Sequence, residues 1–126
     1  MKKYKAKSVT IEMPYPGAVI SVNHYLGRSR YGTTYVKPEA KSWMDELGWR
    51  IKEYHIEDWK QPIKVSISGV FKDKRSTPDL SNLTKVCLDA IEETTGINDK
   101  YMQTATTDPL IGTEEPVIII TIQEVL

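Results

Sequence analysis

The chain has 126 residues, 40% hydrophobic and 27% charged, with a formal net charge of zero. That is the composition of a soluble globular protein, and its length predicts one domain over residues 1–126. The longest apolar run, Val117 to Ile120, is far too short to span a membrane, and a lone Cys87 excludes an internal disulfide.

The N-terminal Met1-Lys2-Lys3-Tyr4-Lys5-Ala6-Lys7 has no apolar stretch behind its charges, so no secretory signal is expected. A single thiol among apolar helix residues reads as a small core side chain in a reducing compartment, with the cytoplasm as the expected location. The zero charge hides a division. Residues 1–75 carry 15 Lys or Arg against 8 Asp or Glu, a balance of +7, while residues 76–126 carry 2 against 9, a balance of −7. Such asymmetry points toward a polyanionic partner.

Val9 to Met13 alternates and predicts a strand closed by Pro14 and Pro16. Ala18 to Val22 reads as a second short extended piece. Gly27 to Tyr35 reads as a loop with little to bury. Its Arg28, Arg30, Tyr31 and Tyr35 suit either a nucleic-acid backbone or plain solvent. Pro38 opens a helix whose buried stripe is Ala40, Trp43, Met44, Leu47, Ile51 and Tyr54, ending between His55 and Trp59. Gly48 interrupts that pattern. Ile63 to Phe71 alternates as a strand, with a bulge expected at Gly69. After a second helix, Met102 to Thr107 predicts a weaker strand. Pro116 to Val125 predicts a strong one, too apolar on both faces for an exposed edge. The order β-α-β-α-β-β predicts an α+β (mixed α/β) domain.

The second helix carries the chemistry. A loop with Lys72, Lys74 and Arg75 runs into Pro78-Asp79, and the helix ends near Gly96, with Asp99 three residues on. Leu80, Leu83, Cys87, Leu88, Ala90 and Ile91 share one side, and Asp79, Asn82, Lys85, Asp89 and Glu93 the other. Carboxylates at both ends of the segment, near cations, suit a metal-dependent site for phosphates. They equally suit a capped helix in which Asp79 is the N-cap. Ten helical residues put Asp89 roughly 15 Å from Asp79, too far to share a metal. Asp99 lies past Gly96, where the chain can turn back along the helix.

Several spaced motifs carry a resemblance over most of the chain: Ser21-Val22-Asn23-His24-Tyr25, then Gly32, Tyr35 and Lys37-Pro38-Glu39-Ala40-Lys41. They continue with Asp79-Leu80-Ser81-Asn82-Leu83, Lys85, Asp89-Ala90 and Gly96-Ile97-Asn98-Asp99. In this order they resemble the RusA family of Holliday junction resolvases, common in phages and prophages. The resemblance implies a small homodimer that makes paired cuts in four-way DNA junctions with Mg²⁺ or Mn²⁺, acting in recombination and repair in a bacterial host or phage-infected cell. It implies metal ligation by Asp79 and Asp99, with Ser81 where the family has a third aspartate, and a cleavage role for Lys85. By position and charge, Lys72, Lys74 and Arg75, just before the site, are candidates to hold flanking phosphates, with the N-terminal lysines, Arg28, Arg30 and Asn82 as further DNA contacts; each lysine equally suits a solvated surface. The serine leaves two alternatives: a junction-binding protein of the same fold with weak or no catalysis, or a nuclease acting on other branched DNA.

His24 and His55 have no zinc-like spacing. A packing role is expected for His24, a helix-end role for His55, and core or dimer contacts for Trp43, Trp49 and Trp59.

Overall fold

The computed structural model describes residues 5–125. Seven strands and two α-helices follow in order: β1 (Ser8–Pro14), β2 (Leu26–Arg28), β3 (Thr34–Val36), α1 (Pro38–Lys52), β4 (Ile63–Phe71), α2 (Thr84–Thr95), β5 (Met102–Thr106), β6 (Leu110–Ile111) and β7 (Val117–Glu124). The main sheet runs β1-β7-β4-β5, with β6 also paired to β4. β7 is antiparallel to both neighbours, whereas β5 and β6 run parallel to β4. The result is the α+β fold that the order of elements predicts.

The alternation of β4 and β7 fixes which face is inside. Register aligns Val9, Ile122 and Val65 in one row and Ile11, Ile120 and Ile67 in the next. These side chains join the apolar stripes of α1 and α2 in one buried cluster. Truncating any one of these isoleucines to alanine typically costs about 2–5 kcal/mol. β7 is flanked on both sides, as its two apolar faces require.

Gly69 makes no bulge. It pairs regularly with Ile118, and its lack of a side chain serves packing instead. A Cβ there would lie 2.7 Å from the Phe71 ring and 2.9 Å from the Val117 carbonyl oxygen. The only phenylalanine of the chain therefore lies across the strand at this point, edge-on to Tyr15 at 5.4 Å. Gly48 has a similar use: a Cβ there would lie 2.3 Å from Thr94 Oγ1, so the glycine is where α2 approaches α1.

Five further expectations are corrected. Ala18–Ile20 forms a 3₁₀ turn, not an extended piece. The stretch read as a loop from Gly27 to Tyr35 contains a hairpin, β2 against β3; three-residue strands are too short to show an alternation. α1 stops at Lys52, so Tyr54 falls outside the helix and is exposed. The second helix begins with a 3₁₀ turn, Leu80–Leu83, before α2 proper, and β5 ends one residue early, at Thr106. The two-residue β6 had no sequence signal.

Trp43 and Trp59 are buried, but Trp49 is 74% exposed and no part of the core. His24 is exposed rather than packed. No helix among the described residues is long and apolar enough to cross a membrane.

Cys87 is fully buried in α2, and burial pushes its thiol up to about 12. The thiolate fraction near pH 8 then falls on the order of a thousandfold below that of an ordinary thiol. Ellman's reagent should leave the native protein unlabelled over minutes and label it at once in denaturant. Equal rates in both states would contradict the buried position.

Candidate active site

α2 and its two flanking turns assemble the polar site. Asp79 precedes the 3₁₀ turn and caps it: Ser81 donates its backbone N–H to Asp79 Oδ1 at 3.0 Å and its hydroxyl to the same oxygen at 2.7 Å. The capping expectation thus holds, for the 3₁₀ turn rather than for α2. These two bonds hold the Asp79 carboxyl below its usual pKa, the Ser81 hydroxyl contributing most. Among the described residues, Asp79 Oδ2 has no hydrogen-bond partner.

Lys85, in the first turn of α2, donates to Asp89 Oδ1 at 2.9 Å, one helical turn on. At the far end Gly96 closes the helix, with its N–H on the Glu92 carbonyl at 2.8 Å and φ at 79°. The chain then turns back as the sequence allowed. The Asp99 N–H reaches Glu92 Oε1 at 3.3 Å, and Asp99 Oδ2 lies 3.6 Å from Lys85 Nζ. Lys85 is therefore set between two carboxylates. Its pKa is raised, chiefly by the hydrogen bond to Asp89, so it stays a cation.

Asp89 is the residue that sequence reasoning undervalued. It is no partner of Asp79, as its distance along the helix requires, but it holds Lys85 on one oxygen. On the other, Oδ2, it accepts the Tyr25 hydroxyl at 2.8 Å. Tyr25 is buried, at 1% exposure, and its hydroxyl is pushed up to about 12, first by burial and then by the Asp89 bond. The i,i+4 spacing of Lys85 and Asp89 was a readable signal. The contact with Tyr25, 64 residues away, was not. The Val22 N–H, donated to the Asn82 carbonyl at 2.7 Å, ties the same N-terminal segment to the 3₁₀ turn.

The carboxylates of Asp79, Asp89 and Asp99 are hard oxygen donors of the kind Mg²⁺ takes, and Asp89 and Asp99 flank Lys85. The structure pairs Asp79 with Ser81 and Asp99 with Lys85. The three aspartates do not themselves close into a tight trio. Among the described residues the one such group, within 4.8 Å, is His55, Glu57 and Asp58, exposed beyond the end of α1.

Five further cations lie on a loop and a hairpin that precede α2 in sequence. Lys72, Lys74 and Arg75 are exposed on the loop that leaves β4. Asp73 organises that loop, accepting the Ser76 N–H at 2.9 Å and the Ser76 hydroxyl at 2.8 Å. Arg28 and Arg30 stand on the β2–β3 hairpin. None of these five cations is in an ion pair among the described residues. Lys2 and Lys3 lie outside the described residues.

The α+β scaffold thus fixes the Lys85 ammonium between two carboxylates. Residues 16–123 match the family described as Endodeoxyribonuclease RusA. The match spans nearly the whole chain, and the chain belongs to the RusA endodeoxyribonuclease family, a family of enzymes. No curated protein matches it.

Proposed function

We propose that this chain is a metal-dependent endodeoxyribonuclease that resolves four-way DNA junctions as a homodimer. The observation that carries the reading is Lys85 held between Asp89 and Asp99 at 2.9 and 3.6 Å, inside the span that matches the family. Asp79 and Asp99 hold Mg²⁺ or Mn²⁺, with Ser81 or Asn82 as a further ligand, directly or through water. A bound divalent cation supplies an activated water and charge stabilisation for phosphodiester hydrolysis.

The protein's own residues do the rest. The Ser81 hydroxyl keeps Asp79 ionised and oriented without adding a second negative charge beside it. Lys85 places its ammonium where charge develops on the phosphate, and Asp89 keeps that ammonium in place. Lys72, Lys74, Arg75, Arg28 and Arg30 hold flanking phosphates, and Asn82 fixes the segment that leads to the hairpin. Two symmetric nicks in one junction are made most simply by two identical sites related by a two-fold axis, which is the reason for a dimer.

Ser81 supports a second reading, a junction-binding protein with little catalysis, because a neutral hydroxyl replaces a carboxylate and is engaged with Asp79. Cleavage of end-labelled synthetic junctions in Mg²⁺ and Mn²⁺ separates the two. The wild type should nick two opposing strands. Asp79→Asn should cut on the order of a hundredfold more slowly, and Ser81→Asp should need less metal. Equal rates for wild type and Asp79→Asn would sink the site assignment. Normal binding with no nicking in either metal would favour the second reading, and faster cutting of flaps or duplex would move the substrate to other DNA.

A further inference from the structure

We propose that the β2–β3 hairpin is the element that senses the branch point, with Tyr31 stacking on a base left unstacked there and Arg28 and Arg30 on the adjoining phosphates. This rests on the reading that the chain acts on four-way junctions.

The tip is built, not loose. The Gly32 N–H bonds to the Ser29 carbonyl at 3.0 Å and the Ser29 N–H to the Thr33 carbonyl at 2.8 Å. The Ser29 hydroxyl oxygen also accepts the N–H groups of Tyr31 at 3.3 Å and Thr33 at 3.1 Å. At this fixed turn Tyr31 is 86% exposed, the most exposed of the large hydrophobics among the described residues. A ring held out by an ordered turn has lost little freedom to a partner in advance and offers a flat apolar face.

The surroundings select the partner. Residues 13–38 contain no Asp or Glu, but they contain Arg28, Arg30 and Lys37. The Arg30 guanidinium lies 5.8 Å from the centre of the Tyr31 ring. A cationic, carboxylate-free projection with an aromatic tip fits a nucleic acid that shows a base face beside phosphates. Continuous duplex hides its base faces in the stack; an open branch point does not.

The root ties this projection to the catalytic cluster. The Lys37 N–H closes the base of the hairpin on the Tyr25 carbonyl at 2.9 Å. The Tyr25 hydroxyl is the group that holds Asp89, and Asp89 holds Lys85. Engagement of the tip and placement of the ammonium therefore meet in one residue.

The test uses the whole chain with a four-way junction and with linear duplexes of the same arms, 2-aminopurine being placed next to the branch. Wild type should bind the junction in preference to duplex and quench the branch-point fluorophore. Tyr31→Ala should weaken junction binding roughly tenfold or more, lose the quenching, and leave duplex affinity and the melting curve unchanged. Tyr31→Trp should restore both affinity and quenching. Arg30→Ala should weaken binding to both DNAs and lower the salt slope by about one. Wild-type binding and quenching by Tyr31→Ala would overturn the proposal while leaving the junction reading intact, as would an equal loss on duplex and junction. A wild type that cuts duplex as well as it cuts junctions would overturn both.

Discussion

Lys85→Met should bind four-way junctions within a few-fold of wild type and cut them two to three orders of magnitude more slowly in single turnover. The substitution keeps the aliphatic stem and removes only the charge. Among the described residues its two ion-pair neighbours, at 2.9 and 3.6 Å, are the carboxylates of Asp89 and Asp99, which offer no substitute cation. Loss of one group aimed at developing charge costs a rate factor of about 10²–10³. Lys85→Arg should recover little of it, since a planar fork does not fit a position built around a compact ammonium. Asp89→Asn is the informative companion. It keeps a polar group against Tyr25 and Lys85 but weakens the hold on the ammonium, so a smaller loss in rate with normal binding is expected. A single-turnover rate for Lys85→Met within threefold of wild type would remove Lys85 from the reaction.

The second large effect lies far from the chemistry. Glu124→Ala should lower folding stability by about 3 kcal/mol or more and the melting temperature by on the order of 10 °C. Glu124 is 3% exposed, the one buried charged residue among the described residues. Its Oε1 accepts the Lys7 N–H at 2.8 Å and its Oε2 the Lys60 N–H at 2.6 Å. One side chain thus joins the start of β1, the approach to β4 and the end of β7. Alanine leaves two backbone donors without their acceptors and opens a cavity beneath them. Glu124→Gln, which keeps one acceptor, should lose less. Urea unfolding measures the difference, and a loss below about 1 kcal/mol for the alanine would mean that water replaces the carboxylate at both amides.

The two cases mark where the sequence could be read and where it could not. β4 and the centre of β7 are visible because a half-buried strand writes its period into Ile63-Lys64-Val65-Ser66-Ile67, and a central one into Val117 to Ile122. Cys87 and the helix stop at Gly96 are local facts of the same kind. Asp79, Lys85 and Asp99 came from motif order, and the structure brings Asp99 to Lys85 while leaving Asp79 with Ser81. The helical wheel misled at its start: with Leu80–Leu83 in a 3₁₀ turn, Asp79 does not share one helical face with Lys85. Nothing local marks Glu124 as buried, because its partners sit at residues 7 and 60. The Tyr25–Asp89 bond was hidden for the same reason. Long-range pairings leave no periodic trace.

Among the described residues β2 and β3 pair only with each other and share no ladder with the main sheet. In the sheet, one inserted residue would invert every side chain beyond it and expose the core. In the hairpin the same insertion changes only the reach and composition of the tip. On the proposal made above, selectivity for a DNA shape could therefore change through the length and sequence of residues 26–36 while the catalytic frame stays in register.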